Sequence, residues 1–321
     1  MHPEKSIKSY WYESILSNQM NDFVTLRRSM GFACTTEAKW LAEFDRYLDR
    51  CDHNQCSLPA EIVRDWAKRR VNESDTSLRC RISFIRTFAR FLVGNGVSAY
   101  IISKEDVPRL RSSSYIPHIF SHHEISKLIA YSNKLAINGG DRSLCFVIKL
   151  LYCCGLRIGE TLRIKVSDVN LDTGVLSVKG KFQKTRFIPM QPDLVDALRQ
   201  YIGDTSPGEY LFPKRSDGGI FSCGDYYNFF RMMLHAVGIP FRGRGFGPRV
   251  HDLRHTFAVH SLLLWTQRGV SMSTALPRLS EYLGHKNLQA TERYLHLAME
   301  AYPEINRRLS EYTGDIIPTG E

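Results

Sequence analysis

The segment that most constrains the fold is TSLRCRISFIRTFARFLVGNG, residues 76–96. Leu78, Ile82, Ile85, Phe88, Phe91 and Leu92 recur at helical spacing, and Gly94 and Gly96 close the run. An apolar stripe of this kind has to be covered, so this part of the chain is committed to packed helices. Two neighbours agree. TTEAKWLAEFDRYLDRC opens on a threonine cap signal and repeats Trp40, Leu41, Phe44, Tyr47 and Leu48. SLPAEIVRDWAKRRV has a serine and a proline near its start. A helical domain is expected over residues 20–106, behind an N-terminal extension 1–19. On another face of the same helix lie Arg79, Ser83, Arg86 and Arg90, at spacings of three, four and seven. That face is either solvated or meets phosphates.

Charge favours a polyanion. The 321 residues carry a formal net charge of +10, which points to nucleic acid and leaves room for about two domains. No apolar run is long enough for a membrane span, and MHPEKSIKSYWYES lacks the apolar core of a signal peptide. The eight cysteines form no CxxC pair and no zinc pattern. Reduced thiols in a cytoplasm are expected. Cys145, Cys153 and Cys154 fall in an apolar helix and read as core.

The best domain boundary is VPRLRSSSYIPHIFS, residues 107–121, a polar stretch with prolines and three serines in a row. A second domain follows over 122–321. HHEISKLIAYSNKL and DRSLCFVIKLLYCCGLRIGETLRI read as helices. GVLSVKGKFQKTRFIPM then switches to period two, with Leu176, Val178 and Gly180 alternating against Val175, Ser177, Lys179 and Lys181. After SPGEYLFP the pattern is helical again. The fold class is mainly α, with a small β-hairpin or sheet in the second domain.

Four segments of that domain carry reactive side chains. CCGLRIGETLRI holds Arg157 and Glu160 one turn apart. VKGKFQKTRFIP holds Lys181 near the hairpin tip. HDLRHTFAVH places His251 and Arg254 three apart at a helix start, on one face. LGHKNLQATERYLHL places Tyr294 nine residues after His285. Each residue alone suits an ordinary surface or packing role. Together they suit transfer of a phosphodiester. A phenol of ordinary pKa needs a base or a cationic setting to attack. Guanidiniums bond the non-bridging oxygens of the crowded phosphate, and an ammonium can protonate the leaving oxygen.

These blocks resemble the tyrosine recombinases, or phage-type integrases. GLRIGE, GK with R.IP, HDLRHTFA, and LGH followed by the tyrosine stand in family order over about residues 115–310. The N-terminal part matches only in size, helicity and charge. The resemblance implies that Arg157 and Arg254 clamp the scissile phosphate and that Lys181 is the general acid toward the leaving 5′-hydroxyl. By the same likeness His251 assists proton transfer, His285 donates to a non-bridging oxygen, and Glu160 supports the active-site histidine. Tyr294 would form a 3′-phosphotyrosyl bond. No metal or other cofactor is implied. Implied too are a two-domain C-shaped clamp on duplex DNA, a tetramer on two sites, possible accessory DNA-bending or partner recombinase proteins, and a cytoplasmic, nucleoid-associated location. In MEAYPEINRRLSEYTG, Ile305 and Leu309 are four apart, fitting a helix that docks either on a neighbouring protomer or on its own domain.

Two departures keep alternatives open. The family often has Gly-Lys-Gly at the hairpin tip, whereas Phe182 follows Lys181 here, and Lys184 is a rival acid. The interval between Arg254 and His285 is longer than in Xer-like relatives, which looks more like recombinases of transposons and other mobile elements. Tyr282 and Tyr302 are alternative nucleophiles, the first before His285 and the second eight residues beyond Tyr294. Xer-like dimer resolution, relaxation as by a type IB topoisomerase, a general phosphodiesterase and a non-catalytic accessory protein are the competing functions.

Overall fold

The computed structural model describes residues 10–107, 115–180, 185–214, 216–241 and 247–285, with residues 243, 287, 289, 291–294 and 297. The chain divides into two compact units, Met1–Ser114 and Tyr115–Glu321. The fold is mainly α, with one small antiparallel sheet.

The first unit holds α1 (Ser17–Ser29), α2 (Thr35–Arg50), α3 (Ala60–Ala67) and α4 (Asp75–Gly94). Its centre is aromatic. Phe23 meets Phe88 edge to face at 5.4 Å, and Phe44 meets Trp66 at 5.1 Å. The stripe of α4 is what these rings cover: Leu78, Ile82, Ile85, Phe88 and Leu92 are all buried. Two helix starts differ from expectation. α2 is capped by Cys34 in the left-handed conformation, so Thr35 is already its first helical residue. α3 is capped by Pro59, while Ser57 stands outside and Leu58 bridges to Ala99. A proline has no N–H to lose at a helix start, which explains its place there.

Arg81 lies on the buried side of α4 and is 1% exposed. Its guanidinium takes both oxygens of Glu73, at 2.7 and 2.8 Å, and donates to the carbonyls of Trp66 and Lys68. The fork ties α4 to the loop after α3. Arg81→Met is expected to destabilise this unit by roughly 3–5 kcal/mol, because Glu73 is left buried and unpaired. Urea unfolding of the full chain measures it, and an unchanged midpoint would refute the assignment.

The second unit holds α5 (His122–Ile137), α6 (Arg142–Cys153) and the short α7 (Ile158–Thr161). The strands β1 (Val169–Asn170), β2 (Val175–Lys179) and β3 (Thr185–Pro189) follow, then α8 (Pro192–Thr205), α9 (Cys223–Ala236), α10 (Val250–Gln267) and α11 (Met272–Leu283). The strand order is β1-β2-β3, antiparallel throughout. Leu176, Val178 and Ile188 form its buried face. β1 adds a third strand to the expected hairpin. Cys145 and Cys154 are buried, as expected, and Cys153 is half-buried.

The long interval between Arg254 and His285 is the remainder of α10, a turn through Gly269, and α11. Residues 115–121, expected in the linker, pack with the second unit. The Tyr115 hydroxyl donates to Asp252, and the Phe120 N–H donates to Thr256 Oγ1 at 3.0 Å. Among the described residues no helix is long and apolar enough to cross a membrane.

Candidate active site

Two helix C-termini hold the central cation. α6 stops at Cys153 and the chain turns through Gly155 at φ +58°. A Cβ there would sit 2.3 Å from Phe257 Cδ1, so glycine is required. α11 stops at Leu283, where Gly284 takes φ +67° and the His285 N–H returns to the Ser280 carbonyl at 3.0 Å. Arg254, on α10 and 1% exposed, reaches both ends. Its Nη1 donates to the Gly155 carbonyl at 2.7 Å and its Nη2 to the Leu283 carbonyl at 2.6 Å. Carbonyls at helix C-termini lack helical partners and carry the negative end of the dipole, which suits a buried cation. Burial, then the charge of Arg157, draws the Arg254 pKa down to about 10, so it stays protonated at neutral pH.

The turn after Gly155 delivers Arg157 to the start of α7. Glu160 accepts from the Arg157 N–H at 3.1 Å and from its Nη1 at 2.8 Å. Arg157 Nη2 reaches the Gly284 carbonyl at 3.5 Å. Glu160 also accepts from Arg186, on β3, at 2.8 Å. Burial alone pushes the Glu160 carboxyl up. The hydrogen bonding and charge of Arg186, then the side-chain and backbone hydrogen bonds of Arg157, outweigh it and hold the group at about 2.

Tyr294 is buried against the same cations. Its ring stacks on His285 at 5.7 Å and lies 5.3 Å from His255, which in turn meets His251 at 4.8 Å. Burial raises the phenol pKa, while the charge of Arg254, then those of Arg157 and Arg293, pull it back. His285 Nδ1 shares a hydrogen bond with Thr291 Oγ1 at 2.8 Å. Burial, then the charges of Arg254 and Arg157, lowers both His251 and His285 to about 4. Burial, then His251, lowers His255 to about 3.

Of the expected site residues, Arg157, Glu160, His251, Arg254, His285 and Tyr294 act on one another here through bonds, stacking or charge. Glu160 spends its hydrogen bonds on two arginines and reaches His251 only through its charge, which raises that pKa. Tyr282 instead stacks on Phe257 at 5.4 Å. Lys181, its rival Lys184, Tyr302, Ile305 and Leu309 lie outside the described residues. Arg79, Ser83 and Arg90 are exposed on α4 of the first unit and Arg86 is half-buried there. Among the described residues none of these three arginines has an ion-pair partner. No group of three or more potential metal ligands occurs among the described residues.

Four neighbours were missed from sequence. His255 follows His251 by four, so helical spacing already placed it on the same face. Thr291 precedes Tyr294 by three, with the same logic. Arg186 shares a strand face with Ile188. Tyr115 left no local signal. Its hydroxyl holds Asp252, its ring carries the Arg249 guanidinium at 3.4 Å, and its carbonyl accepts from Arg293 Nη2 at 3.2 Å.

Neutral histidines set a pH response. Unfolded imidazoles protonate near 6.5, whereas His251 and His255 stay neutral in the fold down to about 4 and about 3. Below pH 6.5 the unfolded chain therefore binds protons that the fold refuses, and stability falls with pH. These two residues are expected to remove roughly 4 kcal/mol between pH 7 and pH 5. Urea unfolding at both values checks it, and equal midpoints would overturn the neutral assignment.

The Phage integrase family matches residues 118–301. The y4rE protein of Sinorhizobium fredii is 31% identical over 88% of this chain and 92% of its own length. A tyrosine recombinase of Pseudothermotoga lettingae is 30% identical over 78% of this chain and 81% of its own. Among solved structures, the XerH site-specific recombinase bound to difH substrate has a TM-score of 0.63 at 20% identity, covering 88% of this chain and 83% of that one. The Tn1549 transposon integrase in complex with transposon right end DNA has a TM-score of 0.62 at 14% identity, covering 86% and 94%. At such identities the structural likeness establishes the fold.

Proposed function

The chain belongs to the phage integrase family, the tyrosine recombinases, and on that premise we propose that Tyr294 attacks a DNA phosphate held by Arg157 and Arg254. One observation carries this reading. The buried Tyr294 phenol, stacked on His285, lies within the field of Arg254, a guanidinium fixed between two helix ends. A nucleophile and a phosphate-binding cation are thereby held in place before substrate arrives.

The remaining roles are those that the family resemblance implies. The phenol oxygen bonds to phosphorus, and the bond to the 5′-oxygen breaks. A 3′-phosphotyrosyl link and a free 5′-hydroxyl result, and ligation reverses the step without ATP. Lys181 supplies the proton to the leaving oxygen. In the tautomer this role requires, Thr291 donates to Nδ1, and His285 carries its proton on Nε2 and donates to a non-bridging oxygen. His251 is neutral in the free protein, and the second negative charge that develops on the phosphate in the transition state favours its protonated form. It takes up the phenol proton on attack.

The partner is duplex DNA, met by the catalytic unit and by the unpaired arginines of α4. Of the solved structures above, the XerH recombinase is bound to its difH substrate and the Tn1549 transposon integrase to transposon right end DNA. Integration, excision or transposition of a mobile element is the biological role we favour, carried out by a tetramer on two sites. Chromosome dimer resolution is the alternative.

Covalent capture tests the reading. Cells expressing the tagged protein are lysed in denaturant, free DNA is washed away, and the attached DNA is sequenced. DNA ending at one sequence supports site-specific recombination and identifies the site. Attached DNA of no preferred sequence supports relaxation instead. No attached DNA, even with nicked substrates that block religation, refutes the proposed chemistry.

A further inference from the structure

β3 inverts the usual side-chain pattern. Its register pairs Ile188 with Leu176 and Arg186 with Val178, so Arg186 shares the buried face of the sheet. Phe187 points the other way and is 70% exposed. A guanidinium on an apolar face is costly unless it is paired and hydrogen-bonded. Arg186 is only 12% exposed, and its fork meets Glu160 at 2.8 and 3.3 Å. The same carboxylate holds Arg157 at 2.8 Å. On its other side Arg186 lies against the turn before His285, where a Cβ on Gly284 would sit 3.3 Å from its Cδ.

The charge balance gives this triad a purpose. Glu160 alone beside Arg157 would cancel the positive charge that a phosphate needs there. Arg186 cancels Glu160 instead, and the three groups together keep a net charge of +1. Its fork also fixes the carboxylate that orients Arg157. We propose that Arg186 is a positioning residue of the phosphate clamp, acting through Glu160 on Arg157 and having no part in protonating the leaving oxygen. This rests on the reading that Tyr294 attacks a phosphate clamped by Arg157.

The test compares wild type with Arg186→Gln on three cleavage-trapping DNA substrates carrying the captured site. One has an ordinary phosphodiester, one a neutral methylphosphonate, and one a bridging 5′-phosphorothiolate whose sulfur leaves without a proton. Wild-type attachment through Tyr294 to the first substrate is the control for the proposed function itself. On that substrate Arg186→Gln is expected to slow covalent attachment by about tenfold or more. The deficit should nearly vanish on the methylphosphonate, which has one charge fewer to neutralise, and persist on the phosphorothiolate. An equal deficit on all three would mean a merely structural role and overturn the proposal. Relief on the phosphorothiolate alone would overturn it too, by placing Arg186 on the leaving-group side. Arg186→Lys keeps the charge without the fork. It serves if the glutamine variant does not fold, with a smaller deficit and the same required pattern.

Discussion

Tyr294→Phe is expected to form no covalent link to DNA while binding it within a few-fold of wild type. The substitution removes one hydroxyl and keeps the ring. The stack on His285 and the contact with His255 therefore survive, and so does the place of the ring in the buried cluster that includes Val259, Leu262 and Leu279. On the stability side the substitution removes a buried hydroxyl beside the Arg254 charge, a loss on the order of 1 kcal/mol. Such a loss leaves the protein folded. The loss on the chemical side is expected to be total, because the hydroxyl removed is the one proposed to attack. Denaturing gels of protein on nicked, religation-blocked DNA read the outcome. Attachment persisting in the variant would transfer the role to another tyrosine. Tyr282→Phe is the matched control, since Tyr282 is committed to a stack on Phe257 and its removal should leave attachment intact.

Much of this protein is legible in its sequence, and the limits are physical. The helices of the first unit could be read because burial imposes a local period, and the α4 stripe from Leu78 to Leu92 is buried as that period requires. Helix starts were less legible. Cys34 caps α2 through a left-handed backbone that nothing in the residue type announces. β1 has two residues and no alternation to detect. In the site, Arg157, Arg254, His285 and Tyr294 were found because they sit in recognisable blocks. Arg186 sat in such a block too, yet its role depends on a carboxylate 26 positions away. His255 was visible at helical spacing and was passed over beside its neighbour Arg254. Tyr115 bonds a residue 137 positions distant, and no local pattern could reveal that.

Arg254 should be the least replaceable cation of the site, and its loss is expected to show in two separate measurements. Arg254→Ala leaves the carbonyls of Gly155 and Leu283 buried without their donor. Each such acceptor costs about 1–3 kcal/mol, so the second unit is expected to lose several kcal/mol in urea unfolding. Arg254→Lys keeps a charge, but one ammonium cannot bridge two helix ends and still face a phosphate and the Tyr294 hydroxyl. Its stability loss should be smaller, while its covalent attachment should fall by roughly two to three orders of magnitude, as when a transition-state donor is removed. The difference between the two variants separates holding the fold from clamping the phosphate. A lysine variant that attaches DNA within tenfold of wild type would show that Arg254 is a structural brace between α6 and α11, and the clamp would then rest on Arg157.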